Sequence, residues 1–503
     1  MGRARRAQGH SYERMPGAAT RALPSAWRRR TPESTVLHAV VRRHLATFLD
    51  EARERSAYGT GLPRFVQEDF ERYLGCGVLA NGFARVRCGD CGDELLVAFS
   101  CKGRGVCPSC NARRICDTAA HLVDAVLPRA PVRQWVLSFP RWARFLLAKD
   151  SKLASRVLAI MLRAVFGDYR RRARGHGVEG DARCGAVTFV QRFGDALNLN
   201  VHFHVVVPDG VFVRDPDGVV RFAAVRPPAD DELDALHATL VRRLERVLRP
   251  LLAQPEPGDV QSTDYAAAVQ AVLPLGEEPF RKKRLSAFLL GYSLHAATHL
   301  HEHDREGLER LCRYGARPPF SLERLAQLPD GRLTYRLRHP RAGRTHLVLA
   351  PTELLRKLAT LVPPPRHHLV RFHGCFASNA KWRKEIVPAP PAPKPAPCAQ
   401  PPPSAPTDDD ATAAPDDARP PARMPWADLL ARVYQSDVLT CGRCGGRMTM
   451  LAYITERDVV LRILDHLGLP STGPPVAPTR SRPQPELDAW SGDLAFDDAP
   501  ADT

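Results

Sequence analysis

Two closely spaced cysteine pairs constrain the fold of this chain more than any other feature of its sequence. Cys88 and Cys91 form one C-x2-C pair, Cys107 and Cys110 form another, and 15 residues separate the pairs. Each pair presents two thiolates from a tight turn, and a hairpin between the pairs would bring all four to one ion. This spacing is typical of zinc ribbons. We therefore predict a structural zinc site with these four ligands and no open position for catalysis.

Further cysteines lie near these pairs and near the C terminus. Cys76, Cys101 and Cys116 would either join a second site or replace one ligand, and their spacing leaves both alternatives open. Cys441 and Cys444 form another C-x2-C pair, which is only half of a ribbon. The sequence shows no secretory signal and no apolar run of about 18 residues. We expect a soluble, cytoplasmic protein without a membrane partner, in which cysteines bind metal rather than form disulfides.

The chain carries a large excess of positive charge. Its 503 residues include 72 Lys and Arg against 55 Asp and Glu, which gives a formal net charge of +17. Such an excess favours a polyanionic partner, because guanidinium groups pair with phosphates and release counterions from nucleic acids. Lys102, Arg113 and Arg114 lie among the cysteines and are candidate DNA contacts.

The order of strand and helix patterns favours an α+β fold over a doubly wound one. Strand-like segments such as "VRQWVLSFP" and "GAVTFVQRF" alternate with amphipathic helices such as "SKLASRVLAIMLRAVFGDYRRRARGHG", and a hairpin lies in the middle. We divide the chain into a disordered basic arm (1–32), a helical and four-cysteine domain (33–128), an α+β domain (129–387), a Pro/Ala-rich linker (388–423), a small module with the last C-x2-C pair (424–470) and a disordered tail (471–503).

A histidine pair stands in the β-branched stretch "LNLNVHFHVVVPDG". In a strand, His202 and His204 project from one face, while Phe203 points into the opposite layer. The two imidazoles are either ligands of a divalent cation or ordinary histidines of a sheet, and the pair alone does not decide between these alternatives.

Tyr314 is a candidate nucleophile for such a site. In "DREGLERLCRYGARPPF", helical spacing places Arg310, Tyr314 and Arg317 on one side, with the apolar residues on the opposite, buried side. The guanidinium groups would bind a phosphate and favour the phenolate. This arrangement suits attack on a phosphodiester.

Three strings occur in the order "CGDCGDELLVAFSCKGRGVCPSCNARR", "GAVTFVQRFGDALNLNVHFHVVVPDGVF" and "LERLCRYGARPPF". Together they resemble the rolling-circle transposases of the insertion sequence ninety-one family, which are single-strand transposases of the HUH class, named for histidine, hydrophobic residue, histidine. The similarity runs from roughly residue 60 to 388, with a continuation at 424–470.

The resemblance implies that His202 and His204 bind a catalytic Mg2+ or Mn2+ and that Tyr314 is the nucleophile. It also implies that residues 129–387 form an HUH nuclease domain with a central antiparallel sheet and flanking helices, and that the cysteine domain is the family's N-terminal zinc-binding domain. Such an enzyme nicks and rejoins single-stranded DNA at the ends of its element and at the target site through a 5′-phosphotyrosine.

The chain departs from many members of this family at one position. Several members carry two tyrosines four residues apart, but the position four residues before Tyr314 is Arg310. The chain thus resembles the single-tyrosine members, and the way in which it performs the second strand transfer stays open.

A third ligand of the catalytic cation is expected beside the histidines. If the loop at 194–199 pairs position 193 with position 200, Gln191 lies opposite His202 and offers an amide oxygen, whereas Asp209 has the wrong parity for a regular strand. The histidines of "HAATHLHEH" (295–303) offer another metal cluster or form a solvated loop, and we favour the loop.

Two further alternatives stay open. The segment "RHHLVRFHGCFASNAKWRK" (366–384) either binds single-stranded DNA, through phosphate contacts of its basic residues and stacking of bases on its aromatic rings, or forms one more strand and helix of the core. The leading hypothesis is a transposase; the alternatives are an HUH plasmid replication initiator or relaxase, and a catalytically inactive zinc-dependent DNA-binding protein.

Overall fold

A computed structural model describes residues 30–56, 59–252, 284–341, 343–388 and 439–479. The expected basic arm, the Pro/Ala-rich linker and the C-terminal tail lie outside these residues, except for 30–32, 388 and 471–479. None of the helices within the described ranges is both long enough and apolar enough to cross a membrane.

Helices and strands alternate along the described residues. The helices are α1 (Val36–Glu54), α2 (Arg64–Leu74), α3 (Pro108–Ala125), α4 (Arg141–Lys149), α5 (Ser151–Gly175), α6 (Asp230–Leu248), α7 (Arg305–Gly315), α8 (Pro351–Leu361), α9 (Arg383–Ile386) and α10 (Arg457–His466). The strands are β1 (Phe83–Cys88), β2 (Glu94–Ala98), β3 (Val132–Ser138), β4 (Gly185–Phe193), β5 (Leu199–Pro208), β6 (Gly210–Arg214), β7 (Val220–Ala224), β8 (Ser286–Leu289), β9 (Tyr292–His295), β10 (His299–Leu300), β11 (Leu325–Gln327), β12 (Leu333–Arg341), β13 (Arg344–Leu349), β14 (Val370–Gly374) and β15 (Met448–Ile454).

The central sheet has seven strands, and each pair of neighbours is antiparallel. The strand order is β14-β4-β5-β3-β9-β8, and β10 pairs with β3 beside β9. Strands β4 and β5 lie in the middle and are buried on both faces, which explains their nearly continuous apolar sequence. The predicted α+β fold with a central antiparallel sheet and flanking helices is confirmed.

Helices cover both faces of this sheet. On one face, α4, α5 and α6 share a core with Trp135, Phe203 and Val205. On the other face, α3 and α7 share a core with Phe189 and Val206. Because side chains alternate along a strand, the two histidines beside Phe203 belong to the face that α3 and α7 cover. Phe203 is fully buried in the opposite layer, as its parity predicts.

A second core joins the N-terminal helices to a separate sheet. Helices α1, α2 and α8 pack together with the antiparallel sheet β11-β12-β13. Val106, Cys107 and Cys110 from the cysteine region belong to the same core. The cysteine region therefore packs directly on the rest of the protein.

The C-terminal segment joins the N-terminal region. Strand β15 pairs antiparallel with β1, and the two form a three-stranded sheet with β2 in the order β15-β1-β2. Helix α10 packs against Leu79 and Phe83. The last C-x2-C pair, which we expected in a small module of its own, is thus held beside the first pair.

The basic and aromatic segment 366–384 contributes to the core. Its strand β14 is the edge strand beside β4. Phe376 is fully buried and Trp382 is nearly so, both in the core that α3 and α7 share with the sheet. Of the two alternatives for this segment, the structure supports a further strand and helix of the core.

Candidate active site and metal centres

The two histidines of β5 lie together on one face of the central sheet. The ring centroids of His202 and His204 are 4.9 Å apart, with the ring planes at 64°. Only 8% of His202 and 4% of His204 is exposed. The alternation predicted from the sequence therefore brings both imidazoles to one place.

The protonation of these imidazoles suits metal binding. Burial lowers the pKa of His202 to about 4 and lowers the pKa of His204 well below its usual range. The Nδ1–H of His202 donates to the carbonyl oxygen of Asn200 at 2.7 Å, which leaves Nε2 with a lone pair. Both ring nitrogens of His204 are buried and have no hydrogen-bond partner among the described residues. A buried nitrogen without a partner is costly, and a bound cation would satisfy it.

Helix α7 carries Tyr314 to this histidine pair. The side chain of Asp304 caps the helix by accepting a hydrogen bond from the backbone N–H of Gly307 at 2.7 Å. At the other end, the ring of Tyr314 meets the ring of His204 edge-on, with centroids 5.6 Å apart and planes at 82°. The tyrosine is 44% exposed, so part of the residue is open to solvent.

A glycine allows the close approach of α7 to the sheet. A Cβ atom on Gly315 would lie 2.6 Å from Cδ2 of Phe189 on β4. A side chain at this position would force the helix or the Phe189 ring to shift. Gly315 therefore sets how near Tyr314 comes to His204.

Arg317 accompanies Tyr314, but in a different way from the prediction. The helix ends at Gly315, so Arg317 lies beyond it and folds back, with its guanidinium carbon 4.4 Å from the Tyr314 ring centroid. Burial lowers the pKa of Arg317, and the guanidinium keeps its positive charge because arginine is not deprotonated in proteins. Arg310 instead faces Asp304 and Glu306, with nitrogen to oxygen distances of 3.9 and 3.6 Å. The predicted continuous basic stripe on one helix is therefore wrong, because α7 ends before Arg317.

Gln191 lies where the sequence predicted. It pairs with His202 across β4 and β5, although an irregularity near Phe193 makes Leu199, rather than residue 200, the partner of that phenylalanine. Its Nε2 donates to the carbonyl oxygens of Tyr314 and Gly315 at 2.9 and 2.8 Å. Its Oε1 accepts from Nε of Arg317 at 3.4 Å. Gln191 thus ties the end of α7 to the sheet.

The cysteines form two clusters, and the grouping predicted from their spacing is wrong. Within the described ranges, one cluster consists of Cys76, Cys101, Cys107 and Cys110, and the other of Cys88, Cys91, Cys441 and Cys444. In each cluster the four sulfurs lie within 4.8 Å of one another.

Chain topology explains this correction. Cys107 and Cys110 lie at the start of α3 in the second core, beside Cys76, which follows α2. Cys88 ends β1, and β15 brings the C-terminal pair alongside it. The sequence spacing could not reveal the second grouping, because its two halves are separated by about 350 positions.

The sulfur geometry of the first cluster fits a tetrahedral zinc. Cys76 Sγ lies 3.7 Å from Cys110 Sγ and 3.5 Å from Cys107 Sγ, and Cys101 Sγ lies 3.5 Å from Cys110 Sγ. Four sulfurs bonded to zinc at about 2.3 Å would be roughly 3.8 Å apart. Four thiolates leave no open position, so the site supports a structural Zn2+.

A groove of 1880 Å³ runs between the cysteine region and the segment that follows Tyr314. Lys102, Arg113 and Arg317, all predicted as DNA contacts, line it. Sequence reasoning missed Arg324, Arg338, Phe99 and Tyr453, which line the same groove. They come from segments that are far apart in the sequence.

Arg310 and Arg114, the other predicted DNA contacts, do not line this groove, and Arg114 lines a smaller cavity. Its guanidinium donates to the backbone carbonyl oxygen of Lys102 at 2.8 Å. Arg114 therefore helps to hold the loop that carries Lys102.

Only two histidines of "HAATHLHEH" form a separate group, because His295 ends β9 and His299 begins β10. His301, Glu302 and His303 offer ligand atoms within 4.8 Å of one another, and both histidines are exposed. His299 lies 3.6 Å from a carboxylate oxygen of the buried Asp209, which Arg133 also contacts. Asp209 itself is thus engaged in an ion pair rather than with the histidine pair.

Comparisons with known families agree with this architecture. Residues 40–139 match the family described as "Transposase zinc-binding domain", which is named for the insertion sequence ninety-one family, and residues 185–384 match the family described as "Putative transposase". No curated protein and no solved structure matches the chain. The two family matches together span more than half of the chain, and the transposase match identifies it as a DNA-processing enzyme. The chain belongs to the insertion sequence ninety-one family of transposases and carries the zinc-binding domain of that family in its N-terminal part.

Proposed function

We propose that this transposase nicks and rejoins single-stranded DNA at the ends of its element through a 5′-phosphotyrosine on Tyr314, in a rolling-circle type of transposition. The observation that carries this proposal is the edge-on packing of the exposed Tyr314 ring against the buried imidazole of His204, whose nitrogens have no hydrogen-bond partner among the described residues. A nucleophile and a pair of neutral ligands thus meet at one place, which is the requirement of metal-assisted strand transfer.

The covalent step uses the hydroxyl of Tyr314. Its oxygen attacks the scissile phosphorus in line, a bond from oxygen to phosphorus forms, and the bond from phosphorus to the 3′ oxygen breaks. The phenol proton passes to solvent, and the departing 3′ oxygen takes up a proton. Because the phosphodiester energy is kept in the tyrosine ester, a later 3′-hydroxyl can reverse the step and release Tyr314 without ATP.

His202 and His204 would hold a divalent cation, Mg2+ or Mn2+, beside this hydroxyl. A cation bound there would polarise an oxygen of the scissile phosphate and orient it for attack. Arg317 lies over the ring of Tyr314 and is placed to bind the same phosphate group. Gln191 holds the helix end, and its amide oxygen lies beside the site as a candidate third ligand.

The groove supports single-stranded DNA as the substrate. Lys102 and Arg113 supply positive charge on one side, and Arg317 extends the groove to the catalytic tyrosine. Tyr453 is 69% exposed, and its ring lies 6.4 Å from that of Phe99 at an angle of 33°. Exposed aromatic rings in a basic groove stack on unpaired bases without sequence preference.

An adduct assay tests this proposal. The purified protein is incubated with Mg2+ and labelled single strands from the flanks of its own gene, and covalent adducts are resolved under denaturing conditions. We expect an adduct that is lost in the Tyr314→Phe variant. The Tyr453→Phe variant should keep the adduct; it carries the same change at another exposed tyrosine, which does not contact the histidine pair. An adduct on plasmid origin strands alone would favour the replication initiator or relaxase, and binding without any adduct would favour the inactive DNA-binding protein.

A further inference from the structure

The second cysteine cluster takes its ligands from opposite ends of the chain. Cys88 Sγ lies 3.5 Å from Cys444 Sγ, and Cys91 Sγ lies 3.7 Å from Cys441 Sγ. These distances fit four thiolates around one zinc, for which sulfurs are roughly 3.8 Å apart. Cys441 and Cys444 lie outside both matched family regions.

The two halves of this cluster have the same local structure. The sequences "CGDCG" (88–92) and "CGRCG" (441–445) share a glycine after the second cysteine. Gly92 and Gly445 adopt left-handed φ angles of 73° and 74°, and the N–H of each donates to the carbonyl oxygen of the first cysteine of its own turn at 3.1 and 2.9 Å. Each turn therefore presents two sulfurs in the same direction, as a zinc ligand pair requires.

A backbone amide is also aimed at sulfur in this cluster. The N–H of Gly446 donates to Cys444 Sγ at 3.4 Å. Such a donor stabilises a thiolate rather than a thiol, because it favours the charged form. Free thiols would gain little from this arrangement, whereas metal-bound thiolates would.

Little apolar surface holds the C-terminal segment in place. Beside the cluster, Val86 and Met448 form a small core with two of the cysteines, and at the other end Val460 and Leu464 pack against Leu79 and Phe83. Small apolar cores of this kind seldom stabilise a segment alone and are commonly supplemented by a metal.

We propose that Cys88, Cys91, Cys441 and Cys444 form a second structural zinc site, which clasps residues 439–479 to the N-terminal sheet. The clasp holds β15 against β1, and Met450 and Tyr453 of β15 line the groove. The zinc therefore completes one wall of that groove. The role of this wall in binding DNA rests on the proposed function. The metal site and the clasp are independent of that function.

Zinc content tests the metal site. Elemental analysis and native mass spectrometry of the full chain, purified with zinc, should give two ions for the wild type and one for the Cys441→Ser/Cys444→Ser variant. A control variant, Cys116→Ser/Cys375→Ser, changes two cysteines outside both clusters and should keep two ions. One ion in the wild type, or two in the Cys441→Ser/Cys444→Ser variant, would overturn the assignment.

Hydrogen exchange tests the clasp. In the Cys441→Ser/Cys444→Ser variant, the amides of 448–454 should exchange at least tenfold faster, while those of 199–208 in the central sheet should not change. Loss of one zinc with unchanged exchange at 448–454 would refute the clasp.

A titration with labelled single-stranded DNA then addresses the wall separately. Weaker binding by the variant is expected. If the variant loses one zinc and its amides at 448–454 exchange faster, but its DNA affinity is unchanged, the clasp is supported. Only the role of the wall in DNA binding would then be overturned.

Discussion

The side-chain amide of Gln191 donates hydrogen bonds to the backbone carbonyl oxygens of Tyr314 and its neighbour Gly315, at 2.9 and 2.8 Å. These carbonyls lie at the end of α7, where no further turn of helix satisfies them. The same glutamine pairs with His202 across the central sheet. One residue therefore connects the helix that carries the candidate nucleophile to the strand that carries the candidate ligands.

We predict that Gln191→Glu slows adduct formation by at least about tenfold. A carboxylate repels both carbonyl oxygens, and the two hydrogen bonds that the amide donates are lost, each of which contributes about 1 kcal/mol. The measurement is the initial rate of adduct formation as a function of Mg2+ concentration. A positioning role leaves the Mg2+ concentration at half-maximal rate unchanged. If Gln191 acts mainly as the third ligand, the carboxylate, a preferred ligand of Mg2+, would lower that concentration and preserve the rate.

Gly315→Ala should move Tyr314 away from His204. The added methyl group would overlap the ring of Phe189, and overpacking of this kind costs about 1–3 kcal/mol. We expect a lower free energy of unfolding and slower adduct formation. Gly167→Ala is the matched control, because a Cβ atom there meets nothing within 4 Å and alanine favours the helix. Equal behaviour of the two variants would contradict the tight contact at Gly315.

His204→Asn should abolish adduct formation in Mg2+ while single-stranded DNA binding is retained. The substitution removes a buried imidazole whose two nitrogens have no partner among the described residues, and loss of a metal ligand is expected to lower activity about a hundredfold or more. His301→Asn/His303→Asn, on the exposed histidine loop, is the control. If only the loop variant lost the adduct, the cation needed for the reaction would bind at that loop and not at His204.

Tyr453→Ala should weaken binding of single-stranded DNA by about tenfold, since stacking of one base on an aromatic ring contributes about 1–3 kcal/mol. Leu451→Ala is a suitable control, because this residue of the same strand is 49% exposed and does not line the groove. Fluorescence anisotropy with a labelled strand gives both affinities. Equal affinities would show that bases do not stack on Tyr453.

Local patterns were enough to predict which side chains share one face of the central sheet at the candidate site. Alternation along a strand brought His202 and His204 to one side, and hairpin pairing placed Gln191 opposite His202. The position of Arg317 could not be predicted from helical spacing, because α7 ends at Gly315 and the arginine folds back onto the ring.

The grouping of the cysteines into two clusters depends on the tertiary fold, which the spacing between neighbouring cysteine pairs does not reveal. The pairs at 88–91 and 107–110 are close in sequence, but the first ends a strand and the second begins a helix in a different core. A better signal was the repeated C-G-x-C-G pattern, which "CGDCG" and "CGRCG" share and the pair at 107–110 lacks. Turns with the same backbone structure present their two sulfurs in the same way, so this repeat indicates which two cysteine pairs form one cluster.

The central claim is that Tyr314 becomes covalently linked to DNA. After reaction with a single strand from an element end, the adduct is trimmed with nuclease, digested with trypsin and sequenced by mass spectrometry. We predict a nucleotide mass on the phenol oxygen of the peptide that begins at Tyr314, with the linkage at the 5′ phosphate. A nucleotide mass on any other residue, or a 3′ linkage, would contradict the proposed mechanism.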